Sequence, residues 1–479
     1  MPFVRKISCP TNEPAVDLWS LGSSQYGEEE LRQLPHEKVM LKERVLVAKF
    51  GGSSLADAEQ FRKVKRIVES DPARKYVVPS APGKRSSEDE KVTDLLYECY
   101  EKASQGSDYD ALFDKIRTRY REIIADLGLS ISLEQEFIQM EQAFLGGAGR
   151  AYAGSRGEYL NGRILAAWLG YEFIDAAEVI RFGRDGIFED ERTNFFLKDR
   201  LSQTGRAVIP GFYGADDAGN IHTFSRGGSD VTGALVARAA LADRYENWTD
   251  VSGFLLADPG IIEQPKKIDA MTFSELRELS YRGATVLHED AVFPVRREGI
   301  SIHIRNTNHP EESGTVISRS IAPELMGPIT GIAGKKHFVA VSIAKNRMNA
   351  QVGFCKKLLE AFEENKISFE HLPSGIDTIS VILPEEEFEK KEEAIMESLH
   401  RLLQPDKISV DPDMALVTVV GKGMRSKSGI AARFFTCLGL ANVNIKMIDM
   451  GSNEINCTIG VSNDDFEKAV KALYDELVE

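Results

Sequence analysis

Apolar and polar residues follow two different periods between residue 44 and about residue 320 of this chain. Short apolar runs of strand length alternate with segments in which apolar residues recur every three or four positions. Strands that alternate with helices predict an α/β sandwich with a mainly parallel sheet. In GFYGADDAGNIHTF, turn residues separate two strand-like runs and predict a β-hairpin. The predicted strands are RVLVAKF, KYVVPSAP, GYEFIDAAEVI, RAVIPGFYG, ENWTDV and ISIHIRN, and the predicted helices include 108–126, 132–145, 160–169 and 229–243.

The pattern changes after Pro323 and Pro328, where two short α+β repeats follow. Residues 338–411 have the order β-α-β-β-α-β, and residues 414–479 repeat it without the last strand. The missing strand would leave an open sheet edge, and the run ITGIAG at 329–334 is the expected filler. We therefore predict two interleaved ferredoxin-like units. The predicted elements are FVAVSIA, helix 350–364, ISFEHLP, TISVILP, helix 385–402 and ISVDP, then ALVTVVG, helix 428–440, VNIKMIDM, INCTIGV and helix 464–477.

These patterns divide the chain into four predicted parts. An N-terminal extension at 1–42 contains several prolines and the acidic run Glu28-Glu29-Glu30 but no apolar segment, so neither a secretory signal nor a transit peptide is expected. The other parts are an α/β domain at 43–322, a first ferredoxin-like domain at 338–411, and a second one made of 326–337 plus 412–479.

Composition narrows the classes of function. The 479 residues include 59 basic and 74 acidic residues, and the net charge of −15 argues against a nucleic-acid surface. No apolar run approaches the roughly 18 residues that a membrane helix needs. The cysteines are scattered, odd in number and without a CxxC pair, so we expect reduced thiols in a cytoplasmic protein and no zinc site.

The first candidate site is ERVLVAKFGGSSLADAEQFRKV, in which a strand, a glycine turn and a helix follow one another. Lys49 ends the strand, and Gly51-Gly52 follow it. One interpretation is a plain turn, with Ser53 or Ser54 as the helix N-cap and Lys49 exposed. The other is an anion site, where helix N-terminus, glycine N–H groups and ammonium group converge on a phosphate. The order differs from a P-loop, whose lysine follows the glycines.

A second glycine turn occurs in TFSRGGSDVTGALVARAAL. Arg226 precedes Gly227-Gly228, and Ser229 and Asp230 open an alanine-rich helix. Asp230 can be an N-cap, and Arg226 can be an ordinary loop arginine. Two such turns, each beside one cation, are also what a site for a phosphorylated nucleotide and a carboxylate requires.

Two further stretches have both a structural and a functional interpretation. WTDVSGFLLADP ends a strand at Thr249-Asp250 and continues as a loop, which is a candidate nucleotide-binding segment at the carboxyl end of a sheet strand. In YAGSRGEYLNGRILAAWL, Ser155 and Glu158 have the spacing of a capping box, which the pattern alone favours over a ligand role.

Together these stretches resemble the aspartate kinases, and the tail resembles their paired, interleaved ACT regulatory domains. The resemblance extends from about residue 44 to the end and implies an amino-acid-kinase-type α/β/α fold. It also implies a monofunctional enzyme without a fused homoserine dehydrogenase. KFGGSS departs from the usual form of its motif only by Ser53 in place of Thr. The matching motifs are Lys49-Phe50-Gly51-Gly52-Ser53-Ser54, Gly157-Glu158, Ser225-Arg226-Gly227-Gly228-Ser229-Asp230 and Trp248-Thr249-Asp250-Val251.

The resemblance implies ATP-dependent phosphorylation of the β-carboxylate of L-aspartate, the first step toward lysine, threonine and methionine. Lys49 would stabilise the transferred phosphoryl group, and Asp230 would orient Lys49. A loose phosphoryl-transfer transition state needs positioning and charge neutralisation more than a base, and the β-carboxylate is already ionised at pH 7. By the same resemblance, the substrate-binding residues are Thr93, Glu158 for the α-ammonium group, Arg226 for the α-carboxylate, and Ser229.

The resemblance also implies where the nucleotide binds. Mg²⁺ would be held mainly through the ATP phosphates, because no dedicated metal cluster is visible. This chain has Leu255, Gly260 and Thr285 where lysine-sensitive relatives carry Tyr, Arg and Lys, which affects ATP affinity or nucleotide preference more than the reaction. The implied nucleotide-binding residues are Lys49, Phe50, Gly51, Gly52, Ser53, Thr249, Asp250, Leu255 and Gly260.

Feedback control is a further implication, because ACT units bind amino acids where two of them meet. Met348, Gly353 and Phe354 match the effector loop of lysine-inhibited aspartate kinases, and Ser368 and Glu370 match its opposite wall. A plain βα turn is the alternative. We expect inhibition by L-lysine, alone or with L-threonine, in a homodimer or homotetramer formed through these units, and no nucleic-acid or membrane partner.

Two other functions compete with this interpretation. One is a different amino-acid or carbamate kinase of the same fold, against which the ACT-like repeats and the Glu158 and Arg226 pair argue. The other is an inactive amino-acid sensor, against which the joint presence of Lys49, Asp230, Glu158 and Arg226 argues.

Overall fold

The computed structural model describes residues 43–225, 227–283, 287, 291–322, 327–451 and 454–478. The extension at 1–42 lies outside the described residues, and the compact unit discussed below begins at Arg44. It contains an eight-stranded sheet, a two-stranded hairpin and a five-stranded sheet. The fold class predicted from the sequence is confirmed.

The larger sheet is built from short strands that are mostly parallel. In chain order its strands are β1 (Leu46–Phe50), β2 (Arg74–Pro79), β3 (Glu172–Phe173), β4 (Ala207–Val208), β7 (Arg244–Thr249), β8 (Ala270–Thr272), β9 (Ser301–Asn306) and β10 (Thr315–Ser318). Between β4 and β7, the strands β5 (Tyr213–Ala215) and β6 (Ile221–Thr223) form the separate hairpin. The order across the larger sheet is β3-β4-β2-β1-β7-β9-β10-β8, and every pair is parallel except β9 with β10. Since β1 is central and covered on both faces, all of its residues are buried.

Helices cover both faces of this sheet. They are α1 (Ala58–Glu69), α2 (Val92–Ser104), α3 (Asp110–Leu127), α4 (Glu134–Leu145), α5 (Arg150–Leu169), α6 (Ala176–Val179), α7 (Asp190–Ser202), α8 (Gly228–Ala239), α9 (Phe273–Tyr281) and α10 (Val292–Glu298). Successive side chains of β1 enter different cores, because a strand alternates its faces. Val47 packs in the core that includes α8 and α10, whereas Ala48 and Phe50 pack in the core of α1 to α5. The result is the expected α/β/α sandwich.

Two predicted strands of this part are largely wrong, and one of them, RAVIPGFYG, forms only the two-residue β4 before the hairpin begins. GYEFIDAAEVI forms only the two-residue β3, and its second half is the helix α6. The carboxylate of Asp175 accepts a hydrogen bond from the N–H of Ala177 and caps that helix. A short apolar run does not distinguish a strand from a buried helical turn. The predicted hairpin is present as β5 and β6, while the short strands β8 and β10 are not predicted by the pattern.

The second sheet is antiparallel throughout. Its strands are β11 (Gly331–Ala344), β12 (Thr378–Pro384), β13 (Lys407–Val420), β14 (Met447–Met450) and β15 (Asn456–Val461), in the order β12-β11-β13-β15-β14. Its helices are α11 (Phe354–Glu364), α12 (Glu385–Glu389), α13 (Glu392–Leu403), α14 (Ile430–Leu440) and α15 (Phe466–Val478). The long strands β11 and β13 run through both halves of the sheet, and each half has its own hydrophobic core.

The tail differs from the predicted elements in three places. ISFEHLP forms no named strand and contributes the isolated bridge of His371 to Ile382. The helix predicted at 385–402 is divided into α12 and α13, and ISVDP and ALVTVV are parts of the single strand β13. The run ITGIAG leads into β11, where residues 331–334 pair with 417–420. None of the helices in the described ranges is long and apolar enough to cross a membrane.

Candidate active site

The carboxyl end of the central strand carries a buried lysine. Lys49 in β1 is 8% exposed, and its Nζ lies 2.6 Å from Oδ1 of Asp230 in the first turn of α8. A buried ammonium group without a counter-ion would be costly, and Asp230 provides the counter-ion. Lys49 is therefore not an exposed turn residue. Its charge lies at the edge of the sheet where open α/β folds bind ligands.

The turn after β1 depends on glycine for close approaches. The N–H of Gly51 donates to the carbonyl of Trp248 at 2.9 Å, which holds the turn against the end of β7. A Cβ at Gly51 would lie 3.7 Å from Nζ of Lys49, so glycine keeps that side of the ammonium group free of a side chain. A Cβ at Gly52 would lie 2.9 Å from the carbonyl oxygen of Ala81 in the loop after β2. Glycine at position 52 therefore lets the turn pack closely against the loop after β2.

The serines of this turn do not cap the next helix, so that interpretation is wrong. Ser53 and Ser54 lie in a short 3-10 helix, and the N-cap of α1 is Asp57, whose carboxylate accepts from the N–H of Gln60. The Ser54 hydroxyl is buried 2.7 Å from that of Thr307, whereas Ser53 is half-buried. Ser54 supports the turn from behind and Ser53 remains partly accessible.

The second glycine turn brings Asp230 to Lys49. α8 begins at Gly228, and its N-cap is Gly227 with φ +64°, in the left-handed region that favours glycine. An N-cap role for Asp230 is therefore wrong, and its carboxylate is available to the lysine. Ser229 packs closely on the loop after β4, since a Cβ at Gly211 would approach its Oγ to 2.5 Å. Arg226 lies outside the described residues.

Glu158 lies in the middle of a helix. α5 extends over Arg150–Leu169, so the capping box inferred for Ser155 and Glu158 is wrong. The Ser155 hydroxyl instead donates to the carbonyl of Tyr152, one turn earlier in the same helix. The side chain of Glu158 is thus not engaged at a helix end, and its role must come from its surroundings.

The Glu158 carboxyl is buried without a full set of partners. Burial raises its pKa to about 8, against the opposing effects of hydrogen bonds from the N–H groups of Ala81 and Glu158 and of the nearby charges of Arg156 and Lys49. Its Oε2 has no hydrogen-bond partner among the described residues. A buried carboxylate oxygen without a partner, within the field of Lys49, is suited to accept from a cationic ligand.

Thr93 lies close to the same turn of α5. It is in the first turn of α2, which begins at Val92. A Cβ at Gly157 would lie 3.8 Å from Oγ1 of Thr93 and 2.7 Å from Cβ of Ala81. Gly157 therefore allows α5 to pack tightly against α2, and this packing places Thr93 beside the residue that precedes Glu158.

A cavity of about 590 Å³ opens next to the carboxyl end of β7. Asp250 and Leu255 line it from the loop after β7, and Gly283 lines it from the segment after α9. Residues 332–334 of β11 close another side, so the cavity is bounded by both sheets. Its size and position suit part of a nucleotide.

The remaining residues predicted on the nucleotide side are less closely grouped. The hydroxyl of Thr249 donates to the Asp250 carboxylate at 3.1 Å. The N–H of Gly260 donates to the Asp258 carboxylate at 2.8 Å, just beyond the segment that lines the cavity. Thr285 lies outside the described residues.

The predicted effector loop forms the start of α11. Met348 and Phe354 are buried in the core of the first half of the smaller sheet. Gly353 has φ +84° and is the N-cap of α11, and a Cβ there would meet open space. The loop therefore has its glycine on the surface and its apolar side chains anchored inside.

Ser368 and Glu370, which were predicted to face the effector loop, lie elsewhere along the same sheet. Ser368 is exposed, and the N–H of Glu370 donates to the carbonyl of Ile382. Ile382 pairs with Ala340, whereas the effector loop begins after Ala344. Four residues of strand correspond to roughly 13 Å. Along β11, the pairing position of Glu370 and the start of the effector loop are therefore about four residues apart.

Asn247 belongs to the candidate site but was not predicted from the sequence. Asn247 in β7 is opposite Lys49 in the register and hydrogen-bonds with both Lys49 and Asp230. The signal in the sequence is an asparagine inside the strand ENWTDV, since a buried polar side chain in a central strand needs partners. Which partners it has depends on the pairing of β1 with β7, and the sequence pattern does not show that pairing.

Comparisons with known proteins agree with this architecture. A model of the amino acid kinase family matches residues 44–306, and an ACT domain model matches residues 417–477. Aspartokinase 3 of Bacillus subtilis is 38% identical over 450 residues, which is 90% of this chain and 98% of that protein. The crystal structure of Clostridium acetobutylicum aspartate kinase has 49% identity and a TM-score of 0.85, covering 90% of this chain and all of the other.

A more distant structure has the same fold. E. coli aspartokinase III in complex with lysine and aspartate is 25% identical, with a TM-score of 0.69 over 91% of this chain and 100% of that one. The sheet with its facing glycine turns and the antiparallel tail define the class, an amino acid kinase with an ACT region. Within that family the chain belongs to the aspartate kinases, and it is a phosphotransferase that acts on aspartate.

Proposed function

We propose that phosphoryl transfer takes place between the two glycine turns, with Lys49 and Asp230 as the catalytic residues. The observation that carries the proposal is the buried 2.6 Å ion pair beside the bare Gly51 turn. An ammonium group held there can stabilise charge on a phosphoryl group in transfer without reorganisation. Asp230 keeps Lys49 in place when no phosphate is bound.

Aspartate would bind on the α5 side of this pair. Glu158 accepts a hydrogen bond from its α-ammonium group, which supplies a partner for Oε2, an atom without one among the described residues. Thr93 and Ser229 lie on the flanking helices α2 and α8 and are the proposed neutral contacts. Arg226 is the proposed ligand of the α-carboxylate, an assignment that comes from the sequence resemblance alone.

MgATP would occupy the edge of the sheet beside the first turn. The proposed contacts are the backbone of Phe50, Gly51, Gly52 and Ser53 for phosphate, and Thr249, Asp250, Leu255 and Gly260 near the cavity for the rest of the nucleotide. Mg²⁺ would enter as part of this substrate and would neutralise charge on the phosphates. An oxygen of the aspartate β-carboxylate attacks the γ-phosphorus, the bond to the β,γ-bridging oxygen breaks, and ADP and 4-phospho-L-aspartate form.

The tail is proposed to regulate the reaction. We assign 43–322 to the kinase domain, 338–411 to a first ACT unit, and 326–337 with 412–479 to a second. The effector is L-lysine, alone or with L-threonine, which fits a cytoplasmic enzyme at the start of the route to these amino acids and methionine. E. coli aspartokinase III has been crystallised with lysine, and the C. acetobutylicum enzyme is allosteric. The effector site is proposed to lie where the ACT units of two copies meet, in a homodimer or homotetramer.

The reaction and its substrate site can be tested together. With MgATP, L-aspartate and hydroxylamine, the acyl phosphate is trapped, and mass spectrometry should find the β-hydroxamate of aspartate in equal amount to ADP. Glu158→Gln should raise the KM for aspartate at least about tenfold, because a charge-assisted hydrogen bond is lost, while the KM for ATP stays near that of the wild type. The exposed Glu122 provides the control Glu122→Gln. ADP without hydroxamate, or an unchanged aspartate KM in Glu158→Gln, would contradict the assignment.

A further inference from the structure

A buried asparagine connects both members of the catalytic ion pair. Asn247 is 2% exposed and pairs with Lys49 in the parallel register of β1 and β7. Its Nδ2 donates to Oδ1 of Asp230 at 3.0 Å, and its Oδ1 accepts from Nζ of Lys49 at 3.4 Å. A carboxylate only accepts and an ammonium group only donates, so a single orientation of the carboxamide satisfies both.

This contact restricts the ammonium group. Nζ of Lys49 has three N–H donors. Among the described residues, Asp230 and Asn247 accept from it, and the side next to Gly51 carries no side chain. One donor is therefore available for a ligand, while the other two are held by groups on different elements.

We propose that Asn247 is a positioning residue of the kinase reaction, which lets Lys49 turn from Asp230 toward the transferred phosphoryl group. As Lys49 gains contact with the phosphoryl oxygens, its contact with Asp230 weakens. The Asn247 amide continues to donate to the Asp230 carboxylate, so that buried charge keeps a partner. The inference rests on the proposed role of Lys49 and adds a third member to the pair.

The first test removes both hydrogen bonds at similar side-chain volume. Asn247→Leu should lower kcat by about 10- to 100-fold, with the aspartate KM within about threefold of the wild type, because the substrate-binding groups are untouched. The matched control is Asn456→Leu, the same change at a buried asparagine in β15 of the other sheet. Its kcat should stay near that of the wild type.

The second test separates positioning from folding. In Asn247→Asp the introduced carboxyl group accepts but cannot donate when it is ionised, so it faces Asp230 as a second negative charge. When protonated, it donates to Asp230 as the amide does. Burial and a neighbouring carboxylate raise the pKa of such a group. The ratio of variant to wild-type kcat should therefore rise severalfold as the pH is lowered from about 8 to 6, whereas the ratio for Asn247→Leu should stay constant.

The pH dependence of Asn247→Asp depends on the charged and titratable groups around residue 247. The groups near Asn247 are Lys49 on β1, Asp230 on α8 and Glu158 on α5. The charge of Glu158 interacts with that of Lys49. On β7 itself, the hydroxyl of Tyr245 donates to the carbonyl oxygen of Asp230. The paired residue on β9 is the apolar Ile304. Because Glu158 is the same in all three proteins, the ratio to wild type removes its contribution.

The outcomes distinguish this inference from the proposed function. If Lys49→Ala is inactive while both Asn247 variants keep wild-type kcat, Asn247 has no positioning role and the function of Lys49 stands. If Lys49→Ala retains wild-type kcat, both assignments are wrong. A loss in Asn247→Asp that is equal at every pH, accompanied by a lower Tm, assigns Asn247 a merely structural role and overturns the inference.

Discussion

The carboxyl of Glu158 is protonated at neutral pH before aspartate binds, since burial raises its pKa to about 8. As the acceptor of an α-ammonium group it must ionise, so aspartate binding releases a proton. We expect the aspartate KM to fall as the pH rises from about 6 to 8, and Glu158→Gln to abolish this slope. Calorimetry in two buffers of different ionisation enthalpy measures the released proton. A wild-type KM that is constant over this range would contradict the role of Glu158.

The same pKa shift has a consequence for stability. The pKa of Glu158 is higher in the folded chain than in the unfolded chain. Between about pH 4.5 and 8, the folded chain therefore keeps a proton on Glu158 that the unfolded chain has released. Stability from this group is full below the unfolded value and is lost as the pH rises through the folded value. Glu158→Gln should therefore raise Tm relative to the wild type at pH 8, and have a smaller effect at pH 5. The reverse order in thermal unfolding would contradict the assignment.

At the level of single residues, the sequence identified the charged candidate residues better than the side chains and helix ends that hold them in place. Lys49 and Asp230 are recognisable because each stands beside a Gly-Gly turn, and the structure brings them to 2.6 Å. Asn247 was not recognisable, because its partners depend on strand register. The capping assignments for Ser155 and Asp230 failed because spacing alone does not show where a helix begins.

Among the elements, helix α9 joins the two sheets through Glu275. One oxygen of this buried carboxylate accepts from the N–H and hydroxyl of Thr272 in a capping box, and the other accepts from the hydroxyl of Thr330 and the N–H of Lys422. Burial acts to raise the pKa of Glu275, but these hydrogen bonds outweigh it and lower the pKa. Its stabilising contribution is therefore present above the unfolded value and is lost as the pH falls through the folded value.

Removing this carboxylate should be costly. Glu275→Ala leaves the buried donors around it unpaired, and we expect a loss of about 2–4 kcal/mol in the free energy of unfolding. Urea denaturation measures it. The control is Glu278→Ala, one turn along the same helix, whose carboxylate lies 3.9 Å from the Arg282 guanidinium group, with an expected change within about 0.5 kcal/mol. Equal effects of the two substitutions would show that Glu275 does not join the sheets.

The elements themselves were predicted unevenly, for physical reasons. Central strands such as β1 and β7 and long amphipathic helices such as α3 and α15 follow from periodicity. ISFEHLP was also predicted as a strand, but it forms only the isolated bridge of His371 to Ile382 at the edge beyond β12. A segment at the edge of a sheet has one neighbouring strand instead of two. The sequence does not indicate whether it forms a continuous ladder of hydrogen bonds with that strand.

For the whole molecule, the proposed regulation places the effector where the ACT units of two copies meet. We expect L-lysine, alone or with L-threonine, to inhibit the wild type, and sedimentation to show a dimer or tetramer. Gly353→Asp or Glu370→Ala should remove inhibition and keep full activity without effector, since coupling comes from different effector affinities of the active and inactive arrangements. Insensitivity of the wild type to lysine, threonine and methionine, singly and in pairs, would leave the tail without this role.

The buried ammonium group of Lys49 is proposed to stabilise the transferred phosphoryl group, and the kcat of Lys49→Ala at saturating MgATP and aspartate tests this role. Losing one pre-organised electrostatic contact should lower kcat by about 10²- to 10³-fold, with a smaller change in the aspartate KM. The control is Lys65→Ala, at a partly exposed lysine on α1 that contacts Trp168. A Lys49→Ala enzyme that folds normally and keeps kcat within about tenfold of the wild type would contradict the account.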